Sequence, residues 1–169
     1  MNTQKRQARA RFLTRAGMIA AIYVALTYLS ALFGLSGMGL IQLRLSEALT
    51  VLPYFTAAAV PGVTIGCLLA NLLTGALWQD VLFGTLATLI GAIGTRFLKK
   101  HRYLATLPPI LANTLIVPFV LRYAYVGVSE SLPWLFLSVG VGEILSVGVL
   151  GTVLQLSLEK YRHILFPDS

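Results

Sequence analysis

Two charged residues at the start of an apolar segment are the part of this sequence most able to do chemistry. Arg44 and Glu47 lie three positions apart in the run 39–53. A charge inside a membrane segment costs about 2.5–3.5 kcal/mol, so such residues usually have a partner or a function. Arg44 could pair with Glu47 on one helix face and position it, and Glu47 could bind a ligand.

Further polar side chains in apolar runs complete a candidate binding site. Carboxylates and amides can hydrogen-bond a ligand, and an indole two positions before Asp80 can stack on a flat, cationic molecule. The predicted substrate-binding residues are Glu47, Asn71, Trp78, Asp80, Asn113 and Glu143.

Each of these residues also has a structural alternative. Asp80 could be the N-cap of the helix that follows it, and Arg122 could pair with Glu143. The two asparagines could bond across helices. The residue types alone leave these alternatives open.

Patterns typical of catalysis or of a metal site are absent from the sequence. His101 and His163 lie in basic stretches, and no Ser-His-Asp set, metal-ligand cluster or phosphate loop occurs. The single cysteine, Cys67, lies in an apolar run, where packing is its expected role. We therefore expect no enzyme activity and no metal or cofactor in this chain, so any ATP must be used by another subunit.

The composition indicates a membrane protein. The 169 residues are 57% hydrophobic and 11% charged, with a mean hydropathy of +0.81. Soluble domains carry about 25% charged residues. The net charge of +7 could indicate nucleic acid, but the basic residues flank the apolar runs, as they do in membrane proteins. We expect a lipid bilayer and no nucleic acid as partner.

Six transmembrane helices in one all-α membrane domain, residues 1–169, are predicted. A span needs about 20 mainly apolar residues, and Gly and Pro separate the runs. The predicted helices cover about residues 14–33, 44–59, 62–77, 81–98, 103–124 and 132–158. The second and third are short for spans and could instead form a re-entrant pair, but six spans are the preferred interpretation.

The basic residues predict the orientation of these helices. With the N-terminus inside, eleven of the 13 Lys and Arg residues lie on the inner side, leaving Arg44 and Arg122 outside. Both termini should therefore be cytoplasmic. Tyr54 and other aromatic residues are expected on the outer side. The outer loop 34–43 is apolar and Gly-rich, and we expect it to close over the site as a lid.

Small residues recur every four positions in four of the predicted helices, which allows close helix packing. In the third, fourth and sixth helices we interpret them as internal packing, whereas those of helix 1 could equally face a partner protein. They are Gly17, Ala21 and Ala25; Gly62, Gly66, Ala70 and Thr74; Ala87, Gly91 and Thr95; and Ser138, Gly142 and Ser146.

Residues 41–92, about a third of the chain, closely resemble the queuosine-precursor transporter family, QueT. The matching elements are Arg44-Leu-Ser-Glu-Ala-Leu, Pro61-Gly, Gly66-Cys-Leu-Leu-Ala-Asn, and Asp80 with Phe83-Gly-Thr-Leu-Ala-Thr-Leu. These proteins are substrate-binding (S) components of energy-coupling factor (ECF) transporters, which are ABC importers. The resemblance implies a six-helix S component in the plasma membrane of a prokaryote.

The resemblance also implies a substrate, a 7-deazaguanine such as preQ1 bound at the outer side. Its guanine-like edge offers N–H donors and its aminomethyl group is cationic. Glu47 and Glu143 are therefore the expected principal acids, with Asn71, Asp80 and Asn113 in support and Trp78 stacking on the ring.

The implied partners are a transmembrane coupling protein and two ABC ATPases, with toppling of the subunit in the membrane to release its substrate. An Ala-x-x-x-Ala motif contacts the coupling protein in many such proteins. Ala21 and Ala25 match it here, and Gly17 extends it. The alternatives are an S component for riboflavin, thiamine or biotin, and a structural membrane protein whose buried charges pair only with one another.

Overall fold

The computed structural model describes residues 3–35, 42–125 and 130–166, whose regular elements are all helical. This confirms the all-α prediction for those residues. In chain order the elements are α1 (Thr3–Leu32), a 3₁₀ helix (Leu45–Tyr54), α2 (Ala59–Leu73), α3 (Trp78–Phe97), α4 (Leu107–Ala124), α5 (Leu132–Glu143), a π-helical stretch (Ile144–Gly151), α6 (Thr152–Lys160) and α7 (Arg162–Leu165).

Among the described residues, four helical segments are long and apolar enough to cross a membrane. They are Thr3–Leu32, Trp78–Phe97, Leu107–Ala124 and Leu132–Lys160, the last of which joins α5, the π-helical stretch and α6. The 3₁₀ helix has 10 residues and α2 has 15, so both are shorter than a typical span of about 20. The protein is thus helical with several apolar spans, and the count of six stays a prediction.

Local sequence explains where two helices begin. α1 begins at Thr3, well before the predicted position 14, because residues 3–13 are mostly good helix formers and contain no Gly or Pro. α4 begins at Leu107 and not near 103, because Pro108 and Pro109 are accommodated at least cost in the first turn of a helix.

The predicted α-helix over 44–59 is wrong, since Leu45–Tyr54 forms a 3₁₀ helix. Every residue from Ser46 to Tyr54 in it is buried. A 3₁₀ helix rises about 2.0 Å per residue against 1.5 Å in an α-helix, so these ten residues extend roughly 20 Å instead of roughly 15 Å. The tighter winding lets a short central segment reach between the two ends of the bundle.

Contacts between the helices give their relative directions. Ser30 Oγ accepts from the amide of Leu45, and Tyr23 bonds Glu47, so α1 and the 3₁₀ helix run antiparallel. Gly62 faces Ile19 and Gly66 faces Tyr23, so α1 and α2 run parallel. These contacts make successive segments alternate in direction at the start of the chain.

The same alternation holds later in the chain. Gly91 and Gly94 of α3 pack on Pro109 and Pro108 of α4, so those two helices are antiparallel.

Three basic stretches meet at one end of the bundle, which we call the basic end. Arg96 Nη1 donates to the carbonyl of Pro53 at 3.3 Å, and Arg102 lies 3.3 Å from a carboxylate oxygen of Glu159. Arg11 and Arg15 of α1 line a cavity together with Arg96. This grouping fits the predicted topology, while the side of the membrane that the basic end faces stays a prediction.

Tyr54 lies at this basic end, which corrects its predicted place on the outer side. Its hydroxyl contacts Glu159 at 3.5 Å, and the Arg162 guanidinium lies 5.9 Å from the centre of its ring. The 3₁₀ helix carries Tyr54 there because it starts among the polar residues at one end and finishes at the other.

Internal packing is confirmed for the small residues of α2, α3 and the α5–π segment. A Cβ built on Gly66 would lie 2.7 Å from Tyr23 Cβ, and one on Gly91 would lie 2.6 Å from Pro109 Cα. Thr74 is the exception, since it is exposed at the C-terminal end of α2. On α1 the residues Gly17, Ala21 and Ala25 are exposed, while Ala16, Ala20 and Tyr23 face the interior.

The glycines predict a difference in stability. Gly91→Ala should lower the free energy of unfolding by roughly 1–3 kcal/mol, because the added methyl group meets the α4 backbone. Gly17→Ala is the matched control, since the added methyl group would meet no neighbouring helix within 4 Å and Ala favours a helix. Thermal unfolding of both purified variants in detergent measures this, and equal melting temperatures would contradict the packing.

Candidate functional site

The carboxylate of Glu47 is buried, with 2% exposed, in the first turn of the 3₁₀ helix. Its Oε1 accepts a hydrogen bond from the Tyr23 hydroxyl at 2.5 Å, and its Oε2 accepts one from Asn113 Nδ2 at 3.2 Å. Donors from α1 and α4 therefore hold both oxygens, and the N-terminal end of a helix also favours a negative charge.

Hydrogen bonds to α1 fix the start of the 3₁₀ helix. Thr27 Oγ1 donates to Ser46 Oγ at 2.9 Å, and the amide of Leu45 donates to Ser30 Oγ at 2.9 Å. The side chains of Tyr23, Thr27 and Ser30 form one polar face of α1. This face sets the position of Glu47 in the bundle.

A small cavity lies between Glu47 and Glu143. Its free volume is about 10 Å³, roughly the space of one water molecule. Glu143 ends α5, and its buried Oε2 receives no hydrogen bond from the described residues. A buried oxygen without a donor is costly, so a water molecule or a ligand that carries donors is expected at this place. The lining residues are Gln42, Arg44, Glu47, Asn113, Val117, Val139 and Glu143.

A glycine brings the chain before the 3₁₀ helix against this cavity. The carbonyl oxygen of Gln42 lies where a Cβ of Gly142 would be, so no side chain fits at that position. Two residues on, the amide of Arg44 donates to Ser146 Oγ at 3.3 Å. The close approach places the Arg44 side chain beside the acids.

Arg44 forms its ion pair with Asp80 and not with Glu47 as expected. Its Nη2 lies 3.9 Å from Asp80 Oδ2, which also accepts a hydrogen bond from the Tyr125 hydroxyl at 3.0 Å. Burial raises the pKa of Tyr125, and the negative charge of Asp80 raises it further. The hydroxyl therefore stays protonated and can donate a hydrogen bond. The buried Oδ1 of Asp80 receives no hydrogen bond within the described part of the chain.

Asp80 lies in the first turn of α3, where Leu77 is the N-cap, so the N-cap interpretation of Asp80 is wrong. Asn71 of α2 is its neighbour: a Cβ on Gly84 would lie 3.3 Å from Asn71 Nδ2 and 3.4 Å from Asp80 Oδ1. Asn71 Nδ2 also contacts Cys67 Sγ at 3.6 Å. Asp80 and Asn71 form a second polar group, linked to the cavity through Arg44.

The structure thus brings together five of the six predicted site residues and leaves Trp78 outside. Glu47, Asn113 and Glu143 line the cavity, whereas the Trp78 side chain is 68% exposed and lies apart from buried Asp80. Most of the predicted lid, including Gly37 and Gly39, lies outside the described residues, so the lid stays a prediction.

Sequence reasoning missed Tyr23 and Tyr125, which donate to the buried acids. The spacing of Tyr23, Thr27 and Ser30 along helix 1 is a signal that could have shown a polar inner face. Tyr125 carries no comparable signal, because it follows α4 and reaches Asp80 only through the tertiary fold.

Comparisons with known proteins identify the family of the chain. A family model described as QueT transporter matches residues 13–160. The Queuosine precursor transporter QueT of Lactococcus lactis subsp. cremoris (strain MG1363) is 41% identical over 73 residues, which cover 43% of this chain and 42% of that protein. The match therefore spans less than half of that relative. No solved structure matches the chain.

The bond between Tyr23 and Glu47 predicts a stability difference between two tyrosines of α1. Tyr23→Phe leaves a buried carboxylate oxygen without its donor, which should cost roughly 1–3 kcal/mol of unfolding free energy. Tyr28→Phe removes a hydroxyl that donates to the Leu73 carbonyl at an exposed position and should cost less than about 0.5 kcal/mol. Thermal unfolding of the two variants measures this difference. Equal losses of stability would contradict a buried hydrogen bond between Tyr23 and Glu47.

Proposed function

Because this chain belongs to the QueT transporter family, we propose that it is the substrate-binding membrane subunit of an ECF-type importer of a queuosine precursor. The proposed substrate is a 7-deazaguanine such as preQ1. The single observation that carries the proposal is the pair of buried acids, Glu47 and Glu143, that lines one cavity with Asn113.

The charges of the site favour a cation with additional N–H donors. Among the described residues that form the site, three buried carboxylates, those of Glu47, Asp80 and Glu143, are accompanied by one guanidinium, that of Arg44. Such an excess of acid is expensive in an apolar bundle unless a positive ligand offsets it. The aminomethyl group of preQ1 supplies a positive charge, and its guanine-like edge supplies donors.

The two acids of the cavity differ in their availability. Both oxygens of Glu47 already accept hydrogen bonds, whereas Oε2 of Glu143 accepts none from the described residues. We therefore assign the ammonium group to Glu143 and a positioning contact to Glu47. The Oδ1 of Asp80 also receives no hydrogen bond from the described residues. Arg44 lines the cavity and pairs with Asp80, so we assign Asp80 and its neighbour Asn71 to the other end of the bicyclic ligand.

Substrate entry requires the cavity to widen. A bicyclic molecule is many times larger than a space of about 10 Å³. Val117 of α4 and Val139 of α5 line the cavity and pack in one cluster with Leu121 and Leu135. We infer that α4 and α5 move together as this cluster, away from the 3₁₀ helix that carries Glu47.

An exposed stripe of small residues on α1 is the proposed docking surface for the partner subunits that supply energy for transport. Gly17, Ala21 and Ala25 form an exposed stripe on α1, and small residues on an exposed helix face let a second helix approach closely. We assign this stripe to a transmembrane coupling protein that two ABC ATPases drive, so ATP is used outside this chain. The assembly would lie in the plasma membrane of a prokaryote with the basic end in the cytoplasm.

Substrate binding is tested with Glu143→Gln and Glu47→Gln. Loss of a hydrogen bond to a charged group costs about 1.5–3 kcal/mol, so the Kd for preQ1 should rise roughly tenfold to a hundredfold. Isothermal titration measures this, with Glu159→Gln at the basic end as the acid-to-amide control. An unchanged Kd in both site variants would remove the acids from the site.

A second part of this experiment distinguishes between the candidate substrates. An analogue with a neutral cyano group in place of the aminomethyl group should lose little affinity in Glu143→Gln, because it carries no ammonium. Riboflavin, thiamine and biotin should leave the melting temperature unchanged, since only a bound ligand stabilises the fold. Stabilisation by one of these vitamins would redirect the proposal to it, and stabilisation by no ligand would favour a structural protein.

The docking assignment is tested with Ala21→Leu combined with Ala25→Leu. The bulky side chains should abolish substrate uptake in cells that carry the coupling module, while the purified variant keeps its Kd, since both residues are exposed. Ser157→Leu adds the same side chain to an exposed position of α6 and should leave uptake intact. Persisting uptake in the double variant would show that the coupling protein docks elsewhere.

A further inference from the structure

A second and larger cavity opens at the basic end, where the proposed substrate does not bind. Its volume is about 360 Å³. Arg11 and Arg15 enter it from α1, and Arg96 enters it from the last turn of α3. The described lining residues contain no acid. They are Ala8, Arg11, Phe12, Arg15, Phe55, Thr56, Ala57, Ala58, Arg96 and Phe166.

The donors around this cavity suit a phosphate group. A guanidinium has five N–H donors in a planar fork that matches the oxygens of a phosphate. Arg96 uses one nitrogen on the carbonyl of Pro53 and keeps others for a ligand, and Arg11 is exposed at the cavity. Residues Thr56 to Ala58 precede the N-terminus of the 15-residue helix α2, whose partial positive charge adds to the attraction.

The surroundings of the cavity favour a lipid as the carrier of the phosphate. The cavity lies at the end of the apolar helices, which is the level of lipid headgroups. Beside Arg11, the side chains of Phe12 and Leu13 are 41% and 68% exposed, so an apolar surface continues from the cavity along α1. Basic pockets between membrane helices bind anionic headgroups in this way. We propose that this cavity binds the phosphate group of an anionic membrane lipid.

The experiment uses the full-length protein in a neutral detergent. Melting temperature and lipid adducts in native mass spectrometry are measured with phosphatidylglycerol, with phosphatidylcholine of the same acyl chains, and with inorganic phosphate. Phosphatidylglycerol should raise the melting temperature and give a retained adduct, and phosphatidylcholine should do neither. The Arg11→Gln and Arg96→Gln double variant should bind phosphatidylglycerol roughly tenfold more weakly or worse.

Matched variants distinguish lipid binding in the cavity from attraction to the overall positive charge of the basic end. Lys99→Gln with Lys100→Gln removes the same charge from exposed residues of the same end that do not line the cavity, and binding should persist. Equal loss in both double variants would overturn the proposal, as would the absence of a phosphatidylglycerol effect in the unmodified protein. An equal effect of inorganic phosphate would keep the phosphate site but assign it to a soluble anion. Melting temperatures without lipid identify a variant that fails to fold, and Arg11→Gln alone, at an exposed position, then carries the test.

Discussion

The buried carboxylate of Glu47 is the constraint on which the arrangement of the other helices depends. Its side chain lies in the interior of an apolar bundle, where a charge without hydrogen-bond donors would be prohibitively costly. α1 supplies Tyr23 and α4 supplies Asn113, so two helices that are distant in sequence must converge on one residue. The side chains of Thr27 and Ser30 then tie the start of the 3₁₀ helix to the same face of α1.

The 3₁₀ helix connects the two ends of the molecule. Glu47 in its first turn belongs to the acidic site, while the carbonyl of Pro53 near its end accepts a hydrogen bond from Arg96 at the basic end. The same ten residues are buried along nearly their whole length, so the bundle packs around them. Acidic and basic groups are thereby separated along one central segment, with the proposed cation at one end and the proposed phosphate at the other.

Several features of the fold followed from sequence patterns, because the physics behind them is local. Long apolar runs without charges indicated membrane helices, and small residues at four-residue spacing on α2, α3 and α5 indicated internal faces. The exposed stripe on α1 has the same spacing, and only the burial of Tyr23 on the adjacent face shows that this stripe points outward. The winding of residues 45–54 was not predictable, because propensity does not distinguish a buried 3₁₀ helix from an α-helix.

By itself, the sequence determined the helical membrane character, the family and most of the polar residues of the candidate site. These depend on composition, spacing and residue type, which tertiary packing does not change. Only the tertiary structure decided the pairing of those residues. Arg44 could have paired with the nearby Glu47, yet it contacts Asp80, because the close approach of Gln42 to Gly142 and the position of α3 place that carboxylate within its reach. Trp78, two residues from Asp80 in sequence, faces away from it, since successive residues of a helix point in different directions.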